Sequence, residues 1–320
     1  MGHSPHSITP SGRGAWAGAW CVAALRPWVF AFLCMASGLG APPAGAVVTL
    51  QSAEPAVASA TELSGVVRLA NGCSAVLLAG GRHLLGAAHC VGAVGSEVQF
   101  PGTPERVAVR IVATAFAPGW LGTPAVHDLA IMTLEAQVHQ VAAYRLASEA
   151  TREAAPWVLV AGYGTGGSHG QPRPAGTLGW GRNEYEGRMK PAERYGDRVA
   201  LFDFDDGSFR ANTLGLVVGG VSSLGLGPDE AMLTGLDSGG PSLVRAPLAQ
   251  ASGWRRWLEA LQRTGEAAGH PGAERWQIVG IHAGIDGQRG TGPGGVALDT
   301  LVAPYAAWIA SIAGPQVLAD

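Results

Sequence analysis

The stretch GVVRLANGCSAVLLAGGRHLLGAAHC, residues 65–90, decides the fold class. It holds three short apolar runs, Gly65–Leu69, Ser74–Leu78 and His83–Ala87, parted by Asn-Gly and Gly-Gly turn signals. Runs of this length between such breaks are strands, because a helix needs a longer uninterrupted period. The pattern continues through Val107–Ala113, Leu129–Leu134 and Trp157–Ala161. A second series follows, with Thr177–Trp180, Arg198–Phe204, Pro241–Val244, Trp276–His282 and Gly295–Leu298. Two β units meeting near residue 150 are expected. With 48 Gly, 21 Pro and only 14% charged residues in 320, the composition also suits many short strands and turns, so an all-β fold is predicted. Pro304 in a first turn, followed by Tyr305, Trp308 and Ile309, predicts a C-terminal helix over residues 304–313.

The N-terminal segment has a different character. Arg13 and Arg26 precede an apolar run from Trp28 to Leu39, which ends in Ala44-Gly45-Ala46, a small-x-small cleavage pattern. Residues 1–46 are therefore expected to be a signal peptide and 47–320 the mature domain. An uncleaved anchor is the alternative, but the run falls short of the roughly 20 apolar residues a bilayer requires. The expected location is secreted or periplasmic, with no stable membrane insertion after cleavage. A net charge of −3 supplies no basic field for a nucleic-acid backbone. Of the 4 cysteines, Cys21 and Cys34 lie in the removed segment, leaving Cys73 and Cys90 to pair in an oxidising compartment. Closing that loop stabilises by about 3 kcal/mol on the chain-entropy model; two free buried thiols are the alternative.

Three short motifs carry chemistry: Gly86-Ala87-Ala88-His89-Cys90, His127-Asp128-Leu129-Ala130-Ile131-Met132 and Asp237-Ser238-Gly239-Gly240-Pro241. A serine hydroxyl is a poor nucleophile unless a base takes its proton, and a histidine base needs a third group to hold its tautomer. Ser238, His89 and Asp128 supply those roles. The glycines after Ser238 allow close backbone approach, and the peptide N–H groups around it can face a developing oxyanion.

The three motifs, in this order, resemble the histidine, aspartate and serine boxes of the chymotrypsin/trypsin-like serine proteases. Cys73 and Cys90 flank the histidine strand as that family's histidine-loop disulfide does. Val160-Ala161-Gly162-Tyr163-Gly164 is similar to the strand that opens its second barrel, and Ala307-Trp308-Ile309 to its terminal helix. The resemblance spans about Ser64 to Ala313. It implies two six-stranded antiparallel β-barrels, the first over about 62–150 and the second over about 151–303. It implies a serine endopeptidase acting on protein or peptide substrates through an acyl-enzyme, with His89 as general base, Asp128 as its orienting partner and Ser238 as nucleophile. No cofactor or metal is implied, and a monomer is assumed.

The sequence departs from the family pattern in places. Leu236 stands where the family places the glycine whose N–H joins that of Ser238 in the oxyanion hole. Ile281-His282-Ala283-Gly284 replaces a Ser-Trp-Gly stretch, with Ala283 read at the serine that supports the triad aspartate. Met232 stands at the floor of the substrate pocket, with Ala283 and Gly284 on its wall, so an apolar primary pocket is expected instead of an acidic one. No basic activation site precedes an Ile-Val-Gly-Gly start. Cleavage after Ala46 would instead expose Val47, whose ammonium is expected to insert beside Asp237. A protease-fold binding protein with an impaired oxyanion hole is the alternative to an active enzyme.

Other signals are read more plainly. Gly162-Tyr163-Gly164-Thr165-Gly166-Gly167 fits a dinucleotide fingerprint, but Ser168–Pro172 cannot open the required helix, so a Gly-rich loop is expected. Asp203, Asp205 and Asp206 lack the spacing of a calcium loop and are expected to form a solvated acidic turn, with adventitious Ca²⁺ as the alternative. Trp254, Trp257, Leu258 and Leu261 predict an amphipathic helix inserted over 252–267, packed on the barrel surface. An esterase of the α/β-hydrolase type would need G-x-S-x-G and a different triad order.

Overall fold

A computed structural model describes residues 47–51, 55–101, 107–123, 126–168, 171–172, 176–189, 197–218, 223–245, 276–286 and 290–319. The signal segment 1–46 and the helix expected over 252–267 lie outside the described residues.

The strands in chain order are β1 (Val48–Thr49), β2 (Val66–Arg68), β3 (Ser74–Leu77), β4 (His83–Gly86), β5 (Glu97–Gln99), β6 (Ala108–Phe116), β7 (Ala130–Leu134), β8 (Arg145–Leu146) and β9 (Val158–Gly162). They continue as β10 (Gly167–Ser168), β11 (Gln171–Pro172), β12 (Gly179–Asn183), β13 (Gly187–Arg188), β14 (Val199–Asp203), β15 (Ala231–Met232), β16 (Pro241–Arg245), β17 (Trp276–Ile285) and β18 (Val296–Leu301). Short helices are α1 (Glu149–Ala154), α2 (Thr213–Val218) and α3 (Ala306–Ala313), the last preceded by a 3₁₀ turn at Ala303–Tyr305.

The first six expected strands all form; five of them close with β5 into a six-stranded antiparallel barrel in the order β2-β3-β4-β7-β6-β5, and the sixth, β9, belongs to the second half. Both faces of β3, β4 and β7 are largely buried, which explains their near-continuous apolar runs. Side chains alternate along each strand. Val67, Ala75, Leu77, Leu84, Met132 and Leu134 fill the barrel. Val66, Val76, Leu78, Leu85 and Ile131 point the other way, into a cluster shared with Leu159, Leu243, Ile278 and Ile281 of the second half and Ile309 of α3. Each such side chain contributes about 1.5–3 kcal/mol when fully buried. Strand β5 escaped the sequence reading because only Val98 faces inward between exposed Glu97 and Gln99.

The second half differs in detail from a closed six-stranded barrel. Strands β12-β9-β16-β17-β18-β14 run antiparallel in that order, with β13 beyond β14, β8 beside β17, and a separate four-stranded sheet β11-β10-β1-β15. No backbone ladder joins β12 to β14 among the described residues. The gap is spanned by a side chain: the buried Asn183 Nδ2 donates to the carbonyls of Asp203 and Ala231, each at 2.8 Å. The fold class is as the sequence implied, two antiparallel β units with a short C-terminal helix, and its second unit is closed by an amide.

Two further points concern the quieter signals. The Gly162–Gly167 stretch ends β9 and enters β10 with no helix, as expected. The solvated acidic turn is not what forms. Asp203 and Asp205 are fully buried and only Asp206 is exposed, because Asp203 closes an inner strand and carries the chain inward behind it.

Candidate active site

His89 sits in a one-turn 3₁₀ helix, Ala88–Cys90, that follows β4. Asp128 lies just before β7 and is fully buried. One Asp128 oxygen accepts the His89 backbone N–H at 3.0 Å, and the other lies 2.6 Å from His89 Nδ1. The side chain is thus held at both ends. With Nδ1–H donated to the carboxylate, the Nε2 lone pair is left as the basic site. Behind Asp128, the Tyr305 hydroxyl meets His127 Nδ1 at 2.9 Å, so the turn entering α3 fixes the residue next to the aspartate. Burial, then the Arg198 charge, holds the His127 pKa below its ordinary value.

Ser238 comes from the opposite half, in the loop before β16, and the first barrel grips that loop through Ser74. The Ser74 N–H donates to the Ser238 carbonyl at 2.9 Å. The Ser74 hydroxyl donates to the Leu236 carbonyl at 3.2 Å and accepts the Tyr163 N–H at 2.8 Å. Gly239, at φ 85°, brings its backbone so close to the Ser74 carbonyl that a Cβ would lie 2.2 Å from it. On the other side His282 accepts from the Gly239 N–H and donates its own N–H to the Gly240 carbonyl. The Cys73–Cys90 disulfide ties β3 to the His89 turn, and the Cys90 sulfur lies 3.7 Å from the Ser238 carbonyl. Ser238 and His89 are therefore brought to one place, although no hydrogen bond joins Ser238 Oγ to His89 Nε2. Such contacts often form only with substrate bound.

Among the described residues, the N–H groups of Asp237, Gly239 and Gly240 each have an acceptor, whereas those of Leu236 and Ser238 have none. Those two are the donors expected for an oxyanion. Leu236 reaches this arrangement at φ 76°, a left-handed conformation that bulky residues rarely adopt. Its side chain lies over the Gly72 turn.

Asp237 points inward and is fully buried. It accepts from Gly164 N at 2.8 Å, Thr234 N at 2.8 Å, Thr234 Oγ1 at 2.9 Å and Val47 N at 3.1 Å. A Cβ on Gly162 or Gly164 would come within 2.3 Å or 2.5 Å of Asp237 and Thr234 atoms, so these glycines admit the carboxylate and have no part in a nucleotide loop. Burial raises the Asp237 pKa, opposed by the bonds from Thr234 and Gly164. The structure thus brings the two expected partners, Val47 and Asp237, into contact.

The expected pocket residues are placed unequally. Met232 and Ala283 are buried, Met232 in the core with Val47 and Ala297, while a Cβ on Gly284 would meet nothing within 4 Å and so faces open space. Beside Ala283 stands a network that sequence reasoning missed. The buried His282 Nδ1 lies 2.8 Å from Asp299 Oδ1, and Asp299 Oδ2 accepts from Ser242 at 2.5 Å and Tyr185 at 2.6 Å. It pins the strand that clamps Gly239 and Gly240. Its members come from four separate segments, so no local motif announces them.

The trypsin family model matches residues 50–200, which include the first barrel, His89 and Asp128 and reach the start of β14. Residues 50–200 are a trypsin-family domain. This match supports, for the chain, the general class of trypsin-like serine peptidases, hydrolases that act on peptides. The match ends before Ser238, so the reading of the Ser238 loop rests on its sequence motif and on the geometry above. No curated protein matches the chain. Among the described residues no helix is long and apolar enough to cross a membrane.

Proposed function

We propose that this chain is an exported serine endopeptidase in which Ser238 attacks the scissile carbonyl. The observation that supports this most directly is the His89–Asp128 pair, 2.6 Å apart, on the barrel that also grips the Ser238 loop through Ser74. His89 Nε2 takes the Ser238 proton as the tetrahedral intermediate forms, then delivers it to the leaving amine. Asp128 holds the imidazole tautomer and stabilises the imidazolium. The free N–H groups of Leu236 and Ser238 receive the oxyanion, a term worth about 2.7–4 kcal/mol per donor in comparable sites. Water then hydrolyses the acyl-enzyme by the reverse proton path. Gly284 borders the primary pocket and Met232 lies beneath it, favouring apolar side chains.

Activation follows from Val47. In the uncleaved chain this β-branched residue has φ 36°, an unfavourable conformation, and only an amide N–H meets Asp237. A chain starting at Val47 has no preceding carbonyl to define that torsion, and it offers a buried ammonium to a buried carboxylate. Removal of residues 1–46 on export would therefore both relieve strain and complete an ion pair under the Ser238 loop.

A fluorophosphonate probe tests the reading. Covalent labelling of the mature chain is expected at Ser238, with no labelling of Ser238→Ala and turnover reduced by about 10⁶-fold. A second reading, a protease-fold binding protein, is favoured by the strained Leu236 and by the missing Ser238–His89 hydrogen bond. Folded mature protein that resists the probe would select it.

A further inference from the structure

A buried acidic cluster lies in the second half, in residues for which the catalytic reading has no use. Glu184 and Glu186 lie between β12 and β13, Asp203 ends β14, Asp205 follows two residues later, and Glu230 immediately precedes β15. Asp203, Asp205 and Glu230 are buried. One oxygen of Asp203 accepts from Leu214 N and one oxygen of Glu230 from Leu226 N. Asp205 has no such partner. Both of its oxygens, together with Asp203 Oδ1, Glu186 Oε2 and Glu184 Oε1, are shut off from solvent with no hydrogen-bond partner.

Nothing cationic among the described residues compensates this charge. Arg182 is turned to Asp229 and to the Leu226 carbonyl. The charged neighbours acting on Glu186, Asp205 and Glu230 are all carboxylates. Without a counter-ion, burial first of all pushes Glu186 up to about 10, Asp205 up to about 7 and Glu230 up to about 8; a hydrogen bond with Asp203 adds to this at Glu186, and neighbouring carboxylates add to it at all three. An unpaired buried carboxylate is costly, and a fully buried one with both oxygens orphaned is rare.

The geometry supplies the missing partner. One carboxylate oxygen from each of Glu186, Asp203 and Asp205 lies within 4.8 Å of the others. Oxygens bound to one Ca²⁺ at about 2.4 Å can be at most about 4.8 Å apart, whereas Mg²⁺, at about 2.1 Å, demands a tighter cage. We propose that Glu186, Asp203 and Asp205 form a Ca²⁺ site that ties the turn between β12 and β13 to the end of β14. All donors are hard oxygens from carboxylates, which excludes a preference for zinc or copper. The ion would lock the segment that Asn183 closes with a single amide, and it would do so whether or not Ser238 is catalytic.

The test uses the protein as secreted, stripped with EDTA and then melted in EDTA, 1 mM CaCl₂ or 1 mM MgCl₂. Ca²⁺ is expected to raise Tm by about 5 °C or more, with one-site binding heat by calorimetry. Asp205→Asn and Glu186→Gln should each abolish the Ca²⁺ shift, yet melt in EDTA at or above the parent, since an amide of the same size relieves the repulsion. If Asp205→Asn does not fold, Glu186→Gln answers alone. Absence of heat and of any shift in the parent would overturn the site. So would a variant that keeps the parent's Ca²⁺ shift, or an equal shift with Mg²⁺.

Discussion

Leu236 concentrates the tension of this molecule in one torsion. A left-handed non-glycine residue costs about 1–3 kcal/mol and persists only where its surroundings hold it. Here they do, since the Ser74 hydroxyl takes the Leu236 carbonyl and leaves the N–H free beside that of Ser238. The conformation is already one that glycine adopts without strain. Leu236→Gly should therefore raise stability by about 1 kcal/mol while kcat stays within about threefold of the parent, measured by urea unfolding and peptide turnover. A rise in kcat of about 10²–10³ would mean that the leucine misdirects the donor.

At the scale of elements, closure of the second half rests on Asn183. Its Nδ2 serves two strands, and its Oδ1 accepts the Glu184 N–H at 2.6 Å. Asn183→Ala would orphan these buried backbone groups, at about 1–3 kcal/mol each before relaxation. We expect a net loss of about 3 kcal/mol and a Tm lower by about 10 °C, read by thermal melts. A loss under about 1 kcal/mol would show that the closure lies elsewhere. The same region shows where legibility in the sequence ends. The strands of the first barrel other than β5, and helix α3, could be read because apolar runs and Pro304 are local signals. His89, Asp128 and Ser238 stand out as candidates because acyl transfer needs those residue types and each lies in a short motif. Asn183, Ser74 and the Asp299 network act through pairings between strands far apart in the chain, so each reads as an ordinary polar residue. Asp203 and Asp205 were visible as acids, but their burial, and the approach of Glu186 from the turn between β12 and β13, arise from tertiary packing that leaves no local signal.

For the whole molecule, the halves are joined near the Ser238 loop by the shared apolar cluster and by Ser74, and the N-terminal segment adds a link to the same loop through Val47 on Asp237. The last link is the only one that a cut in the chain can change. A peptide N–H gives Asp237 one neutral hydrogen bond, whereas a terminal ammonium would neutralise a carboxylate that burial disfavours. Breaking a buried pair of this kind costs about 3–5 kcal/mol. A chain that begins at Val47 should accordingly be about 3 kcal/mol more stable than one that retains Ala44-Gly45-Ala46, and should react with the fluorophosphonate about 100-fold faster. Asp237→Asn should remove most of both differences, since the amide cannot pair with the ammonium. N-terminal sequencing of the secreted protein should read Val47-Val48-Thr49. A different start, or equal reactivity of the two forms, would leave the strained torsion at Val47 without this explanation and detach activation from export.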